Sequence, residues 1–252
     1  MSKNQRMNSK NLIINYPFLK INSPIKYLKE INKKYIFPIS WLNTQQYCEC
    51  HFYLWLLGYS PKITSEMIKG EKEHDARESE FKPAEKKEII QDSTDEKLDY
   101  FAFRSYLFSI KEQIHGIQDE IISIPKEKRI IIVEQKPGYY VYPGDKLQAY
   151  GYAIAFMDTF SKELQNEWKD FRIEIAIRNR EKFYENLNNN IHPLTFIKHI
   201  ESIKNEHLLL VRNSVSRIDS IIRNKLKPIA PENIKKCKIC SLNNVCIFKK
   251  EG

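Results

Sequence analysis

The stretch from Ile114 to Tyr152 constrains this chain more than any other. Two apolar runs, Gly116–Ile124 and Arg129–Lys136, flank the polar turn Pro125–Lys128, the pattern of two strands joined by a tight connection. Ile131, Ile132 and Val133 are β-branched, so the second run favours extended, buried backbone. Glu134 and Lys136 end it two residues apart and so share a face, and Asp119 falls in the first strand. Burying a strand beside two carboxylates and a lysine is costly unless the charges pair or hold a metal. The D…ExK pattern on neighbouring strands is therefore a candidate metal site.

The residue types suit one kind of chemistry. Two carboxylates are hard oxygen donors matched to Mg²⁺ or Mn²⁺. Such an ion lowers the pKa of its bound water and stabilises charge on a phosphate oxygen, and a lysine beside it can orient that water. A helix follows at once through Pro143–Phe160, with Gln148 and Tyr152 four apart on one face. Both can reach a phosphate or the lysine.

D…ExK followed by QxxxY resembles the PD-(D/E)xK nucleases of the RecB type. The resemblance implies an α/β fold, a small mixed sheet flanked by helices. Gly116 and Asp119 match the family's GxxD, with Gln118 where proline is common. By resemblance, Asp119 and Glu134 hold the ion and the backbone carbonyl of Gln135 assists. Lys136 positions the attacking water, and Gln148 and Tyr152 hold DNA or support Lys136. Upstream, Gly70 and His74 form GxxxH in a helix opened by Thr64 or Ser65. Alone, a histidine on so charged a helix reads as an exposed residue. Beside the D…ExK strands it becomes a further metal ligand, as in RecB-like nucleases, and imidazole favours Mn²⁺ over Mg²⁺.

The cysteines form a second constellation. The N-terminal stretch lacks the apolar core of a signal peptide, so a cytoplasmic, reducing setting is expected, where five cysteines suggest metal or cluster ligation rather than disulfides. Ser40 to Gly58 reads as one helix with Ser40 as N-cap and Leu42, Cys48, Phe52, Trp55 and Leu56 at helical spacing. Far downstream stands Cys237-x2-Cys240-x5-Cys246. A tetrathiolate site needs a fourth ligand, which Cys48 or Cys50 can supply. Thiolate chemistry alone suits structural zinc and a 4Fe-4S cluster equally. One cysteine ahead of the nuclease motifs and three behind them resembles the iron–sulfur RecB-like nucleases, which include the fourth CRISPR-associated core family and AddB-type helicase subunits. That layout implies the cluster. Ser40, Cys48, Phe52 and Tyr53 match the family's spacing, which favours Cys48 over Cys50, although Glu49 replaces the usual proline.

These readings divide the chain into a basic arm (1–39), a RecB-like nuclease core (40–224) and a C-terminal cysteine cap (225–252) completed by Cys48. Residues 78–97 read as a charged, mobile loop, and Leu98–Ile110 as the strand before the hairpin, with Asp99 a lesser carboxylate. Phe171–Ile177 reads as a strand paired with Lys182–Leu187, and His192–Asn224 as a long helix. The net charge of +9 suits a polyanionic partner, and equally a merely solvated lysine-rich surface. Lys225, Lys227, Lys235, Lys236, Lys238, Lys249 and Lys250 make the cap basic. No apolar stretch approaches the ~20 residues of a membrane span, and no Walker-type loop marks a motor. The resemblance, which spans Ser40–Cys246, implies a metal-dependent exonuclease acting mainly on single-stranded DNA. Its family context implies trimming of spacer precursors beside CRISPR integrase proteins. Two other readings stay open: a viral or stand-alone repair nuclease, and a DNA-end-binding adaptation factor that hardly cuts.

Overall fold

The computed structural model describes residues 24–31, 33–59, 86–186 and 192–249, which form a mixed α/β fold with two small mixed sheets flanked by helices. One sheet runs in the order β1 (Lys29–Ile31), β2 (Lys34–Pro38), β5 (Ile114–Ile117), β4 (Tyr106–Ser109). The other runs β3 (Phe101–Phe103), β6 (Glu120–Ile124), β7 (Arg129–Lys136), β8 (Arg172–Asn179), β9 (Ile197–Ser202). The helices are α1 (Ser40–Tyr47), α2 (Glu49–Leu56), α3 (Lys86–Thr94), α4 (Pro143–Glu167), α5 (Arg180–Glu185), α6 (Asn205–Ile222) and α7 (Ile234–Ile239).

The central strand explains the isoleucine run. β7 pairs antiparallel with β6 and parallel with β8, and the parallel pair is bridged by the long crossover helix α4. Ile130 and Ile132 join the main core, which includes α4. Ile131 and Val133 point to the opposite face, into a smaller cluster with Ile122, Ile124 and Ala176. A strand buried on both faces carries a continuous apolar run instead of an alternating one. Each such buried side chain contributes about 1.5–3 kcal/mol. By the same alternation Glu134 and Lys136 follow Ile130 and Ile132 toward α4.

Helix α4 begins by design of its own sequence. Pro143 occupies its first turn, and the Asp145 carboxylate accepts a hydrogen bond from the Tyr142 amide (3.0 Å), as in a capping box. Its Ala149, Ala153 and Ala155 are fully buried. Gly151 lets α1 approach closely, because a Cβ there would lie 2.7 Å from a Leu42 methyl.

Several expectations are corrected. The first run of the central hairpin is two strands, β5 and β6, in different sheets, and Asp119 lies in the bend between them. The buried Gln118 side chain donates to the Val133 carbonyl and ties that bend to β7. The strand expected over Leu98–Ile110 is likewise split into β3 and β4, again in different sheets. Of the loop expected over 78–97, residues 86–94 form helix α3, seated on its buried Ile89 and Ser93. Lys182–Leu187 is not a hairpin partner; Arg180–Glu185 is helical, capped by the Asn179 side chain. The partner of β8 is β9, cut from the front of the expected long helix, which itself begins only at Asn205. The helix expected from Ser40 to Gly58 breaks at Cys48, whose backbone is extended (φ −168°, ψ 117°). Ser40 is the first helical residue of α1, with Ile39 as its cap. Ile36, Phe37 and Ile39, assigned above to the basic arm, are buried in the core. Asp99 is exposed and pairs with Lys126 (2.7 Å). Among the described residues no helix is long and apolar enough to cross a membrane.

Glu201 ties β9 to α4. Its carboxylate accepts from the Tyr150 hydroxyl (2.6 Å), meets the His199 ring (2.7 Å) and pairs with Lys146 (3.2 Å). Burial would raise its pKa, but these partners outweigh it and hold the carboxyl at about 2. A carboxyl depressed on folding contributes stability above its unfolded pKa and loses it as pH falls through the folded value. Glu201→Gln is therefore expected to lower stability at pH 7, with the gap to the parent narrowing between about pH 4 and pH 2. Urea unfolding at pH 7 and pH 3 checks this; a gap that does not shrink refutes the coupling.

Candidate functional site

The end of β7, the β5–β6 bend and the second and third turns of α4 meet at one surface cleft of about 450 Å³. Asp119, Glu134, Gln135, Lys136, Gln148 and Tyr152 all line it. The Lys136 ammonium lies 2.9 Å from Glu134 Oε1, donates to Gln148 Oε1 (3.0 Å) and stands 4.0 Å from Asp145. The Gln135 amide donates to Asp119 Oδ2 (2.9 Å), which fixes one carboxylate against the strand that carries the other. His74 lies outside the described residues.

Burial sets the charges. Glu134 is 3% exposed, and desolvation pushes its pKa up to about 7, with Asp119 adding to the rise and Lys136 opposing it. For Lys136 burial acts to lower the pKa, but Glu134, Asp145 and Asp119 prevail and raise it. The lysine is thus a cation and a donor. Tyr152 is pushed well above the usual tyrosine range, first by burial and then by Glu134 and Asp119, so its hydroxyl keeps its proton. A Cβ on Gly116 would come within 3.0 Å of the Tyr152 ring and hydroxyl, which is why the GxxD glycine faces this tyrosine.

Glu134 Oε2 is buried with no hydrogen-bond partner. A carboxylate oxygen in that state is costly, and a cation between it and Asp119 would satisfy it. The donor set suits a hard divalent ion. Among the described residues no three His, Cys, Asp or Glu side chains stand together in a metal-holding arrangement, so two carboxylates are what this cleft offers.

Two residues beyond the expected set stand at the cleft. The Asn43 amide donates to Asp145 (3.0 Å) and to Gln148 (3.3 Å), linking α1 to the start of α4. His115 also lines the cleft, its buried Nδ1 without a partner, and burial lowers its pKa. Asn43 carries no local signal, because its partners lie 102 and 105 positions away.

The second constellation gathers at the α1–α2 break. Cys48, Cys50, Cys237, Cys240 and Cys246 line one recess together with His51 and Lys236. None is in a disulfide. Cys48 caps α2, its sulfur accepting from the His51 amide (3.4 Å). Hydrogen bonding from the buried Cys50 thiol lowers both Cys48 and Cys246 to about 6, and Cys50 itself is pushed up. Cys240 Sγ lies 3.6 Å from His51 Nδ1. Soft thiolate donors from both parts of the chain suit a zinc or iron–sulfur centre; the donor set fits, without a preformed cage. Cys48 and Cys50 both face the recess, so either can complete it.

Glu49 docks the C-terminal segment against this junction. It accepts a two-pronged bond from Arg217 of α6 (2.8 and 2.7 Å) and another from the Ile229 amide (2.8 Å). Lys236 donates to the Tyr47 carbonyl (3.0 Å) across the same junction.

No family model and no curated protein matches this chain. A solved structure titled "Crystal structure of SSO0001" is similar to 91% of it, over 94% of that chain, at 13% identity and a TM-score of 0.36, too low to establish a common fold.

Proposed function

We propose that this chain is a metal-dependent deoxyribonuclease of the RecB-like PD-(D/E)xK type, an exonuclease acting mainly on single-stranded DNA. The observation that carries the reading is the convergence of Asp119, Glu134, Lys136, Gln148 and Tyr152 in one cleft, with a buried Glu134 oxygen lacking any partner. Asp119 and Glu134, with His74 and the Gln135 carbonyl, would hold Mg²⁺ or Mn²⁺. When bound, that ion supplies an acidified water and a Lewis acid for phosphate oxygens.

The chain's own groups do the rest. Lys136, charged and steered by Glu134 and Gln148, donates to the attacking water and orients it toward phosphorus. Water oxygen bonds to phosphorus and sheds a proton to solvent, one phosphorus–oxygen bond to a sugar breaks, and the leaving oxygen takes up a proton from solvent. Tyr152, held protonated, and the Gln148 amide offer donors to the phosphate or keep Lys136 in place. Cys237, Cys240 and Cys246, with Cys48 as fourth ligand, would hold a 4Fe-4S cluster that joins the α1–α2 break to the C-terminal segment. Trimming of spacer precursors beside CRISPR integrase proteins is the setting this reading favours.

The test is cleavage of single-stranded DNA, labelled at either end, by anaerobically purified protein in Mn²⁺. Stepwise shortening is expected, and the label lost first gives the polarity. No shortening by protein with intact cluster and bound Mn²⁺ overturns the reading.

A further inference from the structure

The loop that leaves Lys136 carries the described residues' most exposed aromatic rings. Tyr139, Tyr140 and Tyr142 are 71%, 75% and 62% exposed. Single exposed apolar side chains are ordinary, but three large exposed rings within four residues, two of them neighbours in space, call for a partner.

The loop's backbone is held while its rings stay in water. Lys198 Nζ donates to the carbonyls of Gly138 (3.1 Å), Tyr140 (3.3 Å) and Lys136 (3.4 Å). The Asn179 side chain donates to Gly138 O as well (2.8 Å), and the Tyr142 amide is fixed by Asp145. Gly138 adopts φ +67°, a left-handed conformation that turns the chain sharply between Lys136 and the tyrosines. The rings are thereby presented from a fixed frame, which lowers the entropy lost when a partner docks. Lys182 Nζ stands 4.9 Å from the centre of the Tyr139 ring, and the rings of Tyr140 and Tyr142 lie 6.5 Å apart.

We infer that Tyr139, Tyr140 and Tyr142 form a stacking platform for the bases of a single strand whose backbone lies in the adjoining cleft. Every base has a π face, so such a platform grips any sequence, and Lys182, beside the Tyr139 ring, adds a cation suited to a phosphate backbone. Bases in a duplex are already stacked on one another and offer these rings no face. The inference rests on the nuclease reading and says how that enzyme would hold its strand.

Its test does not need cleavage. Fluorescence anisotropy of a labelled single-stranded oligonucleotide is measured without added divalent metal. The titrated proteins are the parent, the triple variant Y139A/Y140A/Y142A, and the triple phenylalanine variant Y139F/Y140F/Y142F. The alanine variant is expected to bind at least ~10-fold more weakly, and the phenylalanine variant close to the parent. The parent should also lose affinity for an oligonucleotide with a run of abasic positions. Unchanged binding by the alanine variant, or equal parental affinity for the abasic strand, overturns the platform. A parent that binds in this base-dependent way but never shortens DNA in Mn²⁺ overturns the nuclease reading and leaves the platform standing. A parent that shortens DNA while the alanine variant binds unchanged overturns the platform alone.

Discussion

Lys136→Ala is expected to slow DNA cleavage by at least ~10²-fold while leaving the strand bound. The ammonium sits 2.9 Å from Glu134 and 3.0 Å from Gln148, with its side chain 21% exposed. No neighbouring group in this triangle can replace a cationic donor: Gln148 presents its acceptor oxygen and Glu134 its carboxylate. The loss has a second component. Burial pushes the Glu134 pKa up to about 7 with Lys136 opposing the rise, and without that charge it rises further. A protonated Glu134 is a poor ligand for a hard cation, so the Mn²⁺ needed for half-maximal rate should rise too. Lys136→Arg keeps the charge but brings a wider, planar fork, and only part of the rate should return. Single-turnover cleavage across a Mn²⁺ titration separates the two components. A Lys136→Ala protein that cuts at full rate removes the lysine from the reaction.

The other large effect concerns the frame. Arg178 is completely buried, ion-paired to Glu120, donating to the Pro193 carbonyl, and placed 4.1 Å over the Phe183 ring. Desolvation raises the pKa of Glu120, with Arg178 acting to hold it down. Removing the arginine leaves the partly buried Glu120 carboxyl without its ion-pair partner and opens a cavity. Arg178→Ala is expected to destabilise the fold by ~3–5 kcal/mol. Arg178→Met, which keeps most of the volume, should still lose most of that. Urea denaturation measures both, and a methionine variant within ~1 kcal/mol of the parent would show that the pair is not structural. Glu120 directly follows Asp119, so cleavage should fall in step with stability. The stability prediction holds whatever the chain's function.

What could be read from the residues follows from how local each signal is. β7 is announced by its β-branched run Ile130–Val133, and Glu134, Lys136, Gln148 and Tyr152 sit on simple periods of two and four that place them on the faces that meet. Other elements hide their identity. Leu194, Ile197, Ile200 and Ile203 fit a helical spacing, yet Ile197–Ser202 is the strand that completes the sheet, because β8 offers it an open edge. The break at Cys48 has no proline or glycine to announce it; the thiol itself caps the new helix. Gln118 resembles a filler between strands and turns out to pin the bend that carries Asp119. Arg178 and Glu120 lie 58 positions apart, and nothing near either residue marks the other.

The cysteine recess also fixes an order of events. His51 and Cys240, which meet there, are separated by 189 positions. A ribosome adding about 5–20 residues per second exposes Cys48 and Cys50 roughly 10–40 s before their partners emerge. Through that interval the early pair stands bare, open to oxidants and to whichever soft metal arrives first. Under the iron–sulfur reading proposed above, the occupant of the recess in a purified sample would then depend partly on the growth medium. On that reading, iron-limited, zinc-rich cultures should give protein with zinc in place of the cluster and the cleft itself intact.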